Sequence, residues 1–140
     1  MKTVDDIMKS ALLYGACSKS AEVSDWKSLS WLFFTPQGRE FCEENSFPTL
    51  EMFRGMSGEI ENYGVHVDAG AVRLSNDDNV ALIGNTEGEL IFSDNTRVHK
   101  VILMHGAKAK VTASNYTVIL LVNIGSCEVE VIKDETVVIL

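Results

Sequence analysis

The feature that most constrains the fold is a repeat that occurs three times in residues 79–140. Each repeat has a short apolar run closed by Gly, a second run of alternating character, and a polar corner that ends in valine. The corner valines Val98, Val118 and Val137 recur at intervals of about 20 residues, the size of one β-solenoid coil. The pattern therefore predicts stacked coils in which equivalent side chains lie over one another.

The corners of the repeat carry residues that tolerate unusual backbone conformations. Gly106 and Gly125 follow the apolar runs of successive repeats, and glycine adopts positive φ without a steric cost. Asn95 and Asn115 occupy equivalent positions at the polar corner. We therefore predict that both glycines have positive φ at coil corners.

An antiparallel β-sandwich is the alternative interpretation of the same pattern. Strand-and-turn units of about 10 residues would also double to a period of about 20. The repeats contain no Asn-Gly or Asp-Gly pair, the usual sign of a tight hairpin turn, and this favours the parallel solenoid.

Residues 1–58 are predicted to form a small helical unit, and residues 59–140 the β-repeat domain. The predicted helices run from Thr3 to Gly15, from Asp25 to Phe33, from Pro36 to near Asn45, and from Thr49 to Gly55. So short a unit has little room for its own core, so we expect it to pack on or cap the β-repeat region, with Trp26 and Trp31 buried. The predicted fold class is α+β.

Charge and cysteine content limit the partners and the compartment. The net charge is −8 and no Lys/Arg cluster occurs, which argues against nucleic acid and against an anionic membrane surface as partners. Cys17, Cys42 and Cys127 form no C-x-x-C pair, and no signal segment or long apolar stretch is present. These features predict a cytoplasmic protein with reduced, buried thiols.

The sequence predicts no catalytic site, metal or cofactor. His66, His99 and His105 fall on different rows of the repeat, and their spacing does not suit zinc. His105 precedes Gly106 and is expected to be a core or corner residue. The pairs Asp77-Asp78 and Asp134-Glu135 could bind Ca²⁺ or act as acid and base, but their polar corners favour a role as solvated turns.

Two N-terminal segments resemble known sequences. Tyr14–Cys17 and Phe41–Leu50 resemble parts of uncharacterised short proteins encoded by phages and mobile elements of gut bacteria, and the repeats resemble small parallel β-helix proteins. The resemblance implies an accessory or host-interacting role and identifies no active site.

Three functional hypotheses follow. The first is a non-enzymatic module for protein–protein interaction, with a host protein as a possible partner. The second is a small-ligand or carbohydrate binder or enzyme on the solenoid face, for which Phe92 and Tyr116 are the aromatic residues available in the repeats. The third is an acidic inhibitor of a basic host protein, suggested by the net charge.

The end of the sequence predicts self-association. Val137, Val138, Ile139 and Leu140 form an apolar, strand-like run. If this run begins a further coil, its outer edge offers unpaired backbone groups beside an apolar row. We therefore expect a homo-oligomer, with a two-fold dimer the simplest way to cover that edge.

Overall fold

The structure is a computed structural model that describes residues 4–13, 25–125 and 127–140. The chain divides into two compact units, Met1–Val65 and His66–Leu140. Within the described residues, α-helices come first and parallel strands follow. The predicted α+β class is confirmed.

In the described part of the first unit there are four α-helices. They are α1 (Val4–Leu13), α2 (Trp26–Phe33), α3 (Pro36–Asn45) and α4 (Leu50–Ile60), and a 3-10 turn (Glu61–Tyr63) follows α4. A side chain caps each of the last three helices at its start. The Asp25 carboxylate accepts a hydrogen bond from the Ser28 amide at 2.7 Å, and the Thr35 and Thr49 hydroxyls accept from amides in the first turns of α3 and α4.

The prediction that the fourth helix ends at Gly55 is wrong. Helix α4 continues to Ile60, with Gly55 in its interior. Met56 and Ile60 extend the buried face that begins with Met52 and Phe53. Glycine costs a helix about 1 kcal/mol relative to alanine, and burying one large apolar side chain contributes more than that. Packing therefore outweighs the local stop signal.

The prediction that Trp31 is buried is also wrong, because its side chain is 65% exposed. Leu29 and Phe33 form the buried face of α2, and the Phe33 ring lies 5.6 Å from the Phe53 ring. Trp31 is two residues from each of these positions, so the helical period places it on the opposite side. Trp26 is half-buried.

The second unit is a β-solenoid of roughly four turns, built from two sheets. The strands are β1 (Val65–Val67), β2 (Gly70–Ser75), β3 (Asn79–Ile83), β4 (Thr86–Phe92), β5 (Val98–Met104), β6 (Lys108–Ala113), β7 (Val118–Asn123), β8 (Glu128–Lys133) and β9 (Val138–Ile139). Odd-numbered strands form a five-stranded sheet in the order β1-β3-β5-β7-β9, and even-numbered strands form a four-stranded sheet in the order β2-β4-β6-β8. The paired strands are parallel, which confirms the solenoid and excludes the antiparallel sandwich.

The interior of the coils is a buried apolar cluster contributed by both sheets. Leu82 from the five-stranded sheet and Leu90 from the four-stranded sheet are both fully buried in it. Gly88 faces this interior, where an added Cβ would lie 2.5 Å from Leu82 Cδ1. The close approach of the two sheets explains why this position is glycine.

The corner glycines have the predicted conformation, with φ of +82° at Gly106 and +80° at Gly125. Their predicted equivalence is wrong by one residue. The strand registers place Gly84, His105 and Gly125 in one stack, and His105 has a φ of +58° there. His105 is therefore a corner residue, as predicted, and occupies a position that glycine fills in the neighbouring coils.

The stack of corner valines differs from the prediction in the same way. Val98 lies beside Val118, and Val118 lies beside Val138 rather than Val137. The Val138 amide fixes this register by donating to the Thr117 carbonyl at 3.1 Å. Two consecutive valines made the sequence ambiguous here, and the strand hydrogen bonds decide which of them joins the stack.

Candidate interaction surface

The side chain of His99 lies between two main-chain carbonyl groups. His99 is fully buried, its Nδ1 lies 2.9 Å from the Asp77 carbonyl oxygen, and its Nε2 lies 2.8 Å from the Asp94 carbonyl oxygen. The Phe92 ring packs against it at 4.8 Å. Both ring nitrogens therefore face main-chain oxygens, which leaves neither of them available to a metal or to a bound molecule. His99 joins the polar corner to the core.

The described cysteines are buried free thiols, as predicted, while Cys17 lies outside the described residues. Burial raises the pKa of Cys42 to about 12. A nucleophilic cysteine reacts as the thiolate, so Cys42 in this environment is held in its unreactive form. Cys127 belongs to the apolar cluster of the coils, and its amide donates to the Asn123 side chain at 2.7 Å.

The two residues of the first predicted carboxylate pair, Asp77 and Asp78, have different partners. Arg97 Nε lies 2.8 Å from Asp78 Oδ1 and 3.2 Å from Asp94 Oδ2, whereas the Asp77 backbone serves His99. The Asp94 carboxylate also accepts from the Thr96 hydroxyl and amide, and these hydrogen bonds lower its pKa to about 2. Asp94 and Thr96 therefore form an Asx turn, which fixes the conformation of the polar corner.

The second pair behaves as the same kind of turn. The Asp134 carboxylate accepts from the Thr136 hydroxyl and amide, and these hydrogen bonds lower its pKa. Glu135 is exposed beside it. Within residues 4–13, 25–125 and 127–140, no group of three or more His, Cys, Asp and Glu residues is arranged to hold a metal ion.

The two aromatic residues of the repeats do not form a common surface. Phe92 is buried in the interior of the coils, and Tyr116 is 67% exposed at a polar corner. A carbohydrate groove lined by both rings is therefore not present in this arrangement.

The outward side of the four-stranded sheet carries ladders of alternating charge. Lys108 lies between Glu87 and Glu128, with Nζ to carboxylate distances of 4.0 and 3.8 Å. The second ladder contains Arg73, Glu89, Lys110 and Glu130, which the registers place side by side on successive strands. Because acidic and basic residues alternate, this face is not a block of negative charge for a basic partner.

The last strand of the same sheet is exposed along its whole length. Strand β8 is the end strand of the sheet, and in the described part of the chain no further strand pairs with it. Val129 and Val131 lie in line with buried residues of β6, yet each is 36% exposed, since among the described strands β8 has a neighbour on one side alone. Ile132 adds an exposed apolar side chain on the outward side.

The predicted interface residues divide between the core and this end. Val137 is 4% exposed and belongs to the core, whereas Val138 and Leu140 are exposed and Ile139 is half-buried. Val138 lies on β9, which ends the five-stranded sheet, and Leu140 follows β9 directly. Strand β8 is not part of the predicted interface, although the alternating Glu128–Val131 pattern in the final repeat was a signal for it.

The exposed edges of β8 and β9, with Val129, Val131, Ile132, Val138 and Leu140, are called the terminal edge below. No helix in the described ranges is both long and apolar enough to cross a membrane. The fold defines the chain as a β-solenoid preceded by helices. Comparisons with protein-family models, with curated proteins and with solved structures each found no match.

Proposed function

We propose that the protein is a non-enzymatic interaction module that binds a protein partner through the terminal edge. The observation that supports this most strongly is the exposure of β8, in which residues that are buried in the preceding coil lie at the surface. In the preceding strand the equivalent positions, Ala109 and Val111, are buried.

An edge of this kind is suited to partners that add a strand. The outer backbone N–H and C=O groups of an end strand can pair with a strand of another chain, and the side chains beside them select the partner. The terminal edge offers apolar side chains from β8 and β9 together. Burying a valine-sized or leucine-sized side chain contributes about 1.5–3 kcal/mol, so a few such contacts support specific binding.

The setting of this function is part of the proposal. The free thiols Cys42 and Cys127 fit a reducing compartment such as the cytoplasm. A host protein of a phage or mobile element is one class of partner, suggested by the resemblance of Phe41–Leu50. Nucleic acid and membrane lipid fit poorly, because the net charge is −8 and the ladders on the four-stranded sheet alternate in sign.

A matched pair of variants tests the proposal. Ile132 and Thr112 lie side by side on β8 and β6, so they share one outward row, but only Ile132 is at the edge. The full-length protein, Ile132→Lys and Thr112→Lys are immobilised in turn and used to capture proteins from a lysate of the source cells, with detection by mass spectrometry. Circular dichroism checks that both variants are folded.

We expect the proteins held by the wild type to be retained by Thr112→Lys and lost from Ile132→Lys. A lysine at the edge places a charge where an added strand would have to pack, whereas the same change one strand inside does not. Equal retention by the two variants would show that binding does not use the terminal edge. Binding that requires a bound sugar or a turned-over substrate would contradict the proposed class of function.

A further inference from the structure

We propose that the partner at the terminal edge is a second copy of this chain, stacked head to tail. Strand β2 of the second copy adds to β8 of the first, in parallel, and the solenoid continues from one molecule into the next. This inference rests on the proposed function and identifies the partner. Three observations support it: the charge ladder, the inward apolar rows, and the positions of β1 and β9 at the two ends.

The charge ladder is the first observation. The row Arg73, Glu89, Lys110, Glu130 alternates in sign across the four strands, and it begins with a cation and ends with an anion. A second copy stacked in the same register places its Arg73 beside Glu130 of the first. The alternation then continues without a break, and Glu130 gains a basic neighbour on both sides.

The inward rows are complementary in the same register. Val129 of the first copy lies beside Val72 of the second, and Val131 lies beside Leu74. Val72 and Leu74 are half-buried at the first end, and both pack against the apolar cluster of the coils. Among the described strands, β2 and β8 each have a strand on one side alone, so stacking joins their apolar rows and removes the exposed valines from water.

The five-stranded sheet has a matching half-coil at each end. Strand β9 pairs with Val118 and Ile119, at the beginning of β7. At the other end, the Asp68 amide donates to the Ile83 carbonyl at 3.0 Å, which places β1 beside the end of β3. In the stacked arrangement, the same register places β1 of the second copy beside the end of β7. Strand β9 of the first copy lies beside the beginning of β7, so the two strands occupy different halves of the same layer.

A two-fold dimer of the same edges is less favourable. In such a dimer the two β8 strands are antiparallel. The outward residues of one β8 then lie beside the outward residues of the other. The outward positions of β8 are Glu128, Glu130 and Ile132, so the carboxylates of the two copies share one face without an outward cation from either β8. Like charges on paired strands are destabilising. The head-to-tail arrangement replaces this repulsion with an ion pair.

Head-to-tail contacts do not close on themselves unless the rotation completes a ring. Since each coil of a solenoid adds a small rotation and a translation along one axis, repetition gives an open, growing assembly. We therefore expect a concentration-dependent series of species that continues beyond the dimer.

A charge-swap experiment tests this arrangement in the full-length protein. Sedimentation velocity is measured at increasing concentration for the wild type, Arg73→Glu, Glu130→Arg, and an equal mixture of the two variants. Each variant alone places like charges at the contact, and we expect its association constant to fall about tenfold. In the mixture, each contact between the two different variants is again between opposite charges, so alternating assembly returns toward that of the wild type. Circular dichroism of each variant confirms the fold, and Arg73→Gln with Glu130→Gln provides neutral replacements if a reversal unfolds the protein.

Recovery in the mixture supports the head-to-tail contact, because a general loss of stability would not be rescued by mixing. A wild type that stops at the dimer, with Glu130→Arg as tight or tighter, would establish the two-fold arrangement and overturn the inference. A monomer at tens of micromolar would overturn the second copy as partner. In that case the proposed function is judged separately by the Ile132→Lys and Thr112→Lys capture.

Discussion

The two sheets of the solenoid are built from the same coils, but their outward faces differ in burial and in charge. In the five-stranded sheet, Val80–Ile83 and Val101–Met104 are buried at every position, inward and outward alike. In the four-stranded sheet, burial alternates along β4 and the outward positions are charged. The inward rows therefore define the solenoid, whereas the outward rows decide which face is buried and which is solvated.

The largest effect on stability is expected when an aspartate is placed on the outward face of each sheet in turn. Ile102→Asp buries an unpaired carboxylate in the five-stranded sheet, since Ile102 is 5% exposed, and should lower the free energy of unfolding by at least about 3 kcal/mol. Thr112→Asp, on the half-buried outward face of the four-stranded sheet, should cost less than about 1 kcal/mol. Urea denaturation of both variants measures the difference. Similar losses would mean that the two outward faces are not distinct.

The next effect tests how closely the sheets approach each other. Gly88→Ala places a Cβ 2.5 Å from Leu82 Cδ1 across the interior, so we expect a loss of about 1–3 kcal/mol from overpacking. Gly58→Ala is the matched control, because a Cβ at that helical position meets nothing within 4 Å and should be neutral or stabilising. Denaturation midpoints that are equal for the two variants would contradict the packing described here.

A smaller effect is expected at the corners that join the sheets. Gly106→Ala and Gly125→Ala meet no steric obstacle, but both positions have positive φ, so each change should cost about 1 kcal/mol through the backbone alone. Thermal unfolding of the two variants measures this cost. Unchanged stability at both positions would show that neither corner requires the left-handed conformation.

The smallest effect concerns pH and the polar corner. The pKa of Asp94 is lowered from 3.8 to about 2, first by the Thr96 hydroxyl and then by the Thr96 amide. The ionised group therefore stabilises the folded state above pH 4, and this contribution is lost as the pH falls from about 4 through about 2. The difference in stability between wild type and Asp94→Asn should shrink over that range. A difference that stays constant between pH 5 and pH 2 would contradict this assignment.

Much of the fold could be predicted from local signals that packing does not alter. The caps Asp25, Thr35 and Thr49 mark where helices begin, and the period of the repeat marks the coils. The positive φ at Gly106 and Gly125 could be predicted because glycine adopts that conformation without a steric cost. In each case the residue's own stereochemistry specifies the conformation.

The errors share a different cause, which is packing or hydrogen bonding to residues distant in sequence. Gly55 lies inside a helix because the buried face continues beyond it, and Val138 rather than Val137 joins the valine stack because of the bond to Thr117. His105 is a corner residue as predicted, but the strand registers rather than the sequence show that it stacks with Gly84 and Gly125. The exposure of β8 could not be deduced from composition, since it depends on which coil is last in the stack.

Hydrogen–deuterium exchange at several protein concentrations tests the central claim that the terminal edge is the docking surface. We expect the amides of Glu128–Lys133 that face away from β6 to exchange quickly in dilute solution and to become protected as the concentration rises. Amides of Lys108–Ala113, which already lie between two strands, should show no such dependence. Exchange in β8 that is independent of both concentration and any captured partner would show that the terminal edge is not a docking surface.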